Sequence, residues 1–93
     1  MTIKVGTLAI PANSPVGTVI TAMRTVDQTG ATVNVNFAIG DDRSIFGVSG
    51  TNLVLNAIPS GVLPGYYAVD IIASAIGSSP YVVDEASFVV KLS

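Results

Sequence analysis

Apolar residues in this chain recur at every second position, in short runs cut by Gly, Pro, Asn and Ser about every ten residues. Val33, Val35, Phe37 and Ile39 alternate with Asn34, Asn36 and Ala38. A pleated strand puts the first set on one face and the second on the other. No stretch carries an i, i+3, i+4, i+7 apolar stripe free of Gly or Pro, so a helical fold is excluded. Val, Ile and Thr make up about a third of the chain, and these β-branched types suit a pleated surface better than a helix.

Period two predicts strands over Ile3 to Ile10, Gly17 to Val26, Thr32 to Ile39, Ser44 to Val48, Leu53 to Ile58, Tyr66 to Ala75 and Val82 to Leu92. The inward sets are Leu53 and Leu55; Tyr67, Val69, Ile71 and Ala73; and Ala86, Phe88, Val90 and Leu92. Pro falls only in the loops, as its missing N–H requires. This spacing predicts an all-β fold, a seven-stranded antiparallel Greek-key sandwich. The 93 residues fit one domain, 1–93.

Charge limits the partners. Only 11 % of residues are charged, against about 25 % in an ordinary soluble chain, and the net charge is -2. The four basic residues, Lys4, Arg24, Arg43 and Lys91, are scattered, so no nucleic-acid partner is expected. No apolar run approaches the length of a membrane span, and no membrane partner is expected. Met1-Thr2-Ile3-Lys4 leads into an alternating segment rather than a continuous apolar block, so no signal peptide is read there. A surface this short of charge favours association with other chains.

Several segments resemble a known family. Ile10-Pro11-Ala12-Asn13-Ser14-Pro15-Val16-Gly17-Thr18-Val19-Ile20 is similar to the opening of a cadherin repeat, Pro-Glu-Asn-x-Pro-x-Gly-Thr-x-Val. Phe37-Ala38-Ile39 resembles the aromatic-x-Ile of its third strand. Ile45-Phe46-Gly47-Val48, Gly50 and Leu53-Val54-Leu55 resemble Phe-x-Ile…Gly-x-Ile-x-Leu. Tyr67-Ala68-Val69-Asp70-Ile71-Ile72-Ala73 resembles Tyr-x-Leu-x-Val-x-Ala, and Ala86-Ser87-Phe88-Val89-Val90 the closing Ala-x-Val-x-Val. The resemblance implies a cadherin-like, Ig-like sandwich over nearly the whole chain.

The family's calcium ligands are depleted. The Glu of the opening motif is Ala12, and of the Asp-x-Asp pair Asp27 remains while its partner position is Thr29. Leu55-Asn56 stands where the resemblance expects Leu-Asp-x-Glu, and Ala75 where it expects Asp. Calcium takes six to eight oxygens, several of them charged, so no interdomain calcium and no other metal or cofactor is expected.

Catalytic groups are equally scarce. Without His or Cys, the chain lacks the commonest general base, the thiolate nucleophile and the usual zinc ligands. Asp41-Asp42 and Asp84-Glu85 are adjacent pairs, which on a strand face opposite ways instead of converging on a substrate. Turn chemistry and solubility account for them. No activating base accompanies the serines, and no glycine-rich run precedes a helix. No catalytic residue is assigned and no enzyme is expected.

Apolar residues at loops and on outward parity are more informative. Val62, Leu63 and Tyr66 lie in or beside a proline-bounded loop, Tyr81, Val82 and Val83 follow Pro80, and Ile72 is apolar on an outward position. These seven are the candidate interface, since contiguous apolar patches and Tyr mark contact surfaces. Alternatively, they fold back to close the ends of a small sandwich. Lys4 in the first strand and Lys91 in the last are placed to blunt bare sheet edges.

Two functions fit. One is a structural protein that assembles with other chains, such as a bacteriophage capsid decoration or virion-surface component made in the cytoplasm. The other is a calcium-independent adhesion or spacer module of a larger extracellular or cell-surface protein. The first takes protein partners, either copies of this chain or a larger assembly; the second predicts a monomer in isolation and leaves room for carbohydrate binding.

Overall fold

The computed structural model describes residues 1–40, 45–56 and 64–93. They form nine strands and no helix: β1 (Thr2–Val5), β2 (Ala9–Ile10), β3 (Val19–Val26), β4 (Thr32–Val33), β5 (Val35–Ile39), β6 (Phe46–Ser49), β7 (Asn52–Leu55), β8 (Gly65–Ala75) and β9 (Val82–Leu92). One sheet has the order β1-β3-β7-β6, with β4 also pairing β3; the other has the order β2-β9-β8-β5. Every pairing is antiparallel except β2 with β9, which is parallel. That pair departs from the wholly antiparallel expectation.

Both sheets turn the same alternating sets onto one core. The first contributes Ile3, Ile20, Met23, Phe46 and Leu53; the second contributes Val35, Val69, Ile71, Ala73, Val90 and Leu92. The arrangement is sandwich-like. Leu53, Val69, Ile71, Ala73 and Val90 are completely buried, and each large aliphatic among them stabilises the fold by about 1.5–3 kcal/mol. The inward sets read from β5, β8 and β9 occupy the inner face, with Tyr67, Phe37 and Phe88 packed at its margins.

Two expected strands divide between the sheets. Ile3 to Ile10 becomes β1, paired with β3, and β2, paired with β9. Gly6 stands at the break, its N–H donating to Thr21 Oγ1 at 2.8 Å. The chain then joins the other sheet, where Lys91 N–H donates to Leu8 O at 2.9 Å and Ala12 N–H to Ser93 O at 2.8 Å. Thr32 to Ile39 divides at Asn34 into β4 on β3 and β5 on β8.

This crossing also changes the edges. Strand β9 lies between β2 and β8, so Lys91 does not guard an edge. Strand β1 is an edge of the first sheet and carries Lys4. Its Ile3 N–H is covered from the other sheet, donating to Asp84 Oδ2 at 2.9 Å.

Two bulges adjust which side chains reach the core. Register shifts between Val19 and Thr21 on β3 and between Ala73 and Ser74 on β8. A bulge sets two residues against one on the partner strand. On β3 the extra residue is Ile20, which joins the core, while its neighbour Thr21 is also buried. On β9 it is Val83, which is half-buried and packs against the core.

The segment before β3 is tied by short turns. Ser14 Oγ donates to Pro11 O at 2.7 Å, and Thr18 Oγ1 to Pro15 O at 2.6 Å. Gly17 has φ +91°, a left-handed conformation that favours Gly. Its N–H donates to Leu55 O at 2.8 Å, which anchors the turn on β7.

Candidate interaction surfaces

Among the described residues, no group of three or more His, Cys, Asp or Glu could hold a metal ion. Asp27, the carboxylate the family resemblance leaves in place, is engaged by its own turn. Its Oδ1 accepts the Thr29 N–H at 2.8 Å, the Thr29 Oγ1–H at 2.5 Å and the Ala31 N–H at 3.2 Å. The Thr29 hydroxyl, then the backbone N–H groups, hold the carboxyl below its ordinary value of 3.8 against a smaller opposing desolvation. This is an Asx-type turn closing the connection from β3 to β4.

Asp84 and Glu85 face opposite ways, as period two requires. Asp84 is half-buried and reaches β1; Glu85 is exposed. Asp41 and Asp42 lie outside the described residues, as do Val62 and Leu63 of the candidate interface.

The remaining interface candidates divide. Tyr66 and Tyr81 are 73 % and 66 % exposed, and Val82 is 56 % exposed. Ile72 is half-buried on the outer face of β8, close beneath Gly40, where an added Cβ would lie 3.0 Å from its Cδ1. Val83, the extra residue of the β9 bulge, is half-buried and packs against the core.

Register assembles the outer face of the second sheet. Tyr66, Ala68, Asp70 and Ile72 on β8 lie opposite Lys91, Val89, Ser87 and Glu85 on β9. Val89 is 56 % exposed and is the diagonal neighbour of Tyr66, within reach of an aromatic ring. Ser87 Oγ–H donates to Asp70 Oδ1 across the strands. Ile76, also exposed, joins Tyr81 and Val82 at the β8–β9 turn, which is closed by Ala75 N–H donating to Tyr81 O at 2.8 Å. Val89 and Ile76 were missed in the sequence because each sits in an ordinary strand pattern; only cross-strand register shows their neighbours.

The first sheet presents a different outer face. Lys4 on β1 lies directly opposite Arg24 on β3, and both are exposed. A groove of about 390 Å³ runs beside them, lined by Lys4, Val5, Gly6, Ala22, Met23 and Arg24. The strands of this sheet contain no carboxylate, whereas those of the second carry Asp70 and Glu85 on their outer face. The two faces therefore differ in charge.

Comparison with family models, with curated proteins and with solved structures found no match to this chain.

Proposed function

We propose that this chain is a non-enzymatic structural protein that works by packing against other protein chains, and that it serves as a bacteriophage virion-surface or capsid decoration component. The observation that carries the reading is the outer face of the second sheet, where Tyr66 and Val89 are exposed at diagonal positions on neighbouring strands. Clustered apolar exposure of this kind marks contact surfaces, and Tyr supplies large, rigid contact area. Sparse charge over the whole chain points the same way.

The fold proposed is a seven-stranded Greek-key sandwich of cadherin-like, Ig-like type. Two sheets around one core and the motif order along the chain support it. Calcium plays no part in this reading, since the Asp27 carboxylate is already engaged by its turn.

Peptide mass spectrometry of purified virions from the source of this sequence tests the function. The proposal expects this chain at a fixed ratio to the major capsid protein. Its absence from particles, with its peptides found instead in a longer cell-surface protein, overturns the virion reading in favour of an adhesion or spacer module.

A further inference from the structure

We infer that the outer face of the first sheet docks on the outer face of the second sheet of another copy of this chain, with Lys4 and Arg24 set against Asp70 and Glu85. The inference rests on the reading that the chain works by association, and it names the surfaces and the partner.

It starts from a local rule that the fold breaks. Lys4 and Arg24 are directly opposed in register. Like charges at opposed positions on neighbouring strands are unfavourable, with Cβ atoms only about 5 Å apart. No carboxylate lies on the strands of that sheet, and neither cation makes an ion pair within the described chain. A break of this kind is expected where a site serves function. The pair is relieved when carboxylates from outside approach the groove beside it, whose small residues Gly6 and Ala22 leave room for them.

The second sheet carries the complement. Asp70 lies opposite Ser87, and Glu85 opposite Ile72, so the two acids are diagonal neighbours on one outer face. Diagonal positions are about 7–8 Å apart, a spacing the long Lys and Arg side chains span from their own closer positions. Lys91, the one cation among the described residues of this face, lies opposite Tyr66, four residues along β8 from Asp70. Half-buried Ile72, two residues along β8 from Asp70 and directly opposite Glu85, adds apolar surface beside the acids.

Because the two faces belong to opposite sides of one molecule, the contact is heterologous. Such a contact propagates head to tail and closes as a ring or continues as a stack. Interactions between exposed charges also weaken as salt rises, with a screening length of about 8 Å at physiological ionic strength.

Sedimentation velocity on the full chain at low salt tests the surface. Three samples are compared: wild type, Lys4→Glu/Arg24→Glu, and Asp70→Lys/Glu85→Lys. Wild type is expected to form species heavier than the 9.5 kDa monomer, and these should dissociate as NaCl is added. Each reversed variant alone should associate about ten-fold more weakly or worse, since like charges are then juxtaposed. An equimolar mixture of the two variants should recover association, because each reversed face meets its new complement. Thermal melts confirm folding, and Arg24→Glu with Glu85→Lys replaces the double variants if either fails to fold.

Wild type that stays monomeric at low salt overturns the docking, as does a mixture that stays monomeric. Binding of inorganic phosphate that Lys4→Glu/Arg24→Glu abolishes, with no self-association, makes the groove a small-anion site and also overturns it. Association unchanged by either reversal overturns this surface while leaving the broader reading intact. A chain found in virions yet monomeric alone does the same.

Discussion

The carboxylate of Asp84 on β9 accepts a 2.9 Å hydrogen bond from the backbone N–H of Ile3 on β1, joining the two sheets across 81 positions of sequence. Strand β1 is an edge, and an unpaired edge N–H is a template for unwanted strand pairing. One side chain therefore fastens the N-terminal strand to the opposite sheet and covers its exposed donor.

Asp84→Ala removes the acceptor and leaves that N–H without its partner. Hydrogen bonds to charged groups contribute about 1.5–3 kcal/mol, and partial exposure places the expected loss toward the lower end. Urea unfolding should show a lower midpoint, and hydrogen exchange should show faster exchange at Ile3. Asp84→Asn, which keeps an oxygen acceptor, should lose less. Unchanged exchange at Ile3 in the Ala variant would show that the contact does not hold the strand.

Thr25 is completely buried, and its Oγ1 has no hydrogen-bond partner. Leaving a buried hydroxyl unsatisfied costs about 1–3 kcal/mol. Thr25→Val keeps the shape and removes the polar atom, so the variant should be more stable by about 1 kcal/mol or more. A melting temperature lower than wild type would mean that the hydroxyl contributes in a way the geometry does not reveal.

Gly50 opens the two-residue loop between Ser49 and Asn52, with φ +61°. A left-handed conformation costs a non-glycine residue about 1–2 kcal/mol. Gly50→Ala should destabilise the protein by about that amount without altering its sheet content by circular dichroism. An Ala variant as stable as wild type would contradict this conformation for the hairpin.

Asp27 gives the fold a pH dependence of known sign. Its carboxyl is held below 3.8 in the folded state, first by the Thr29 hydroxyl. A depressed folded value means stabilisation that is present above the unfolded value and lost as pH falls through the folded one. The difference in melting temperature between wild type and Asp27→Asn should therefore hold at neutral pH and shrink below pH 3.8. A difference that grows on acidification would reverse the assignment.

The strands were legible because period two is a local signal: β9 spans Val82–Leu92 as the alternation indicates. The division of the first strand was also written in the sequence. Ile3 and Val5 are odd, Leu8 and Ile10 are even, and all four pack on the core, so parity reverses at Gly6-Thr7. The division at Asn34 leaves no such mark, because Val33 and Val35 keep the same parity and only the neighbouring strands decide it. Asp84 looked like a solvent-facing acid because its role depends on the Val83 bulge, a tertiary event. The Lys4–Arg24 pair was hidden for the same reason, since register between distant strands is not a local property.

Light scattering on the isolated chain during size exclusion, over rising concentration, addresses the claim that this molecule is built for contact with other chains. The account predicts a mass above 9.5 kDa that increases with concentration. A mass of 9.5 kDa at every concentration, from a chain that also binds no purified particle, would contradict it.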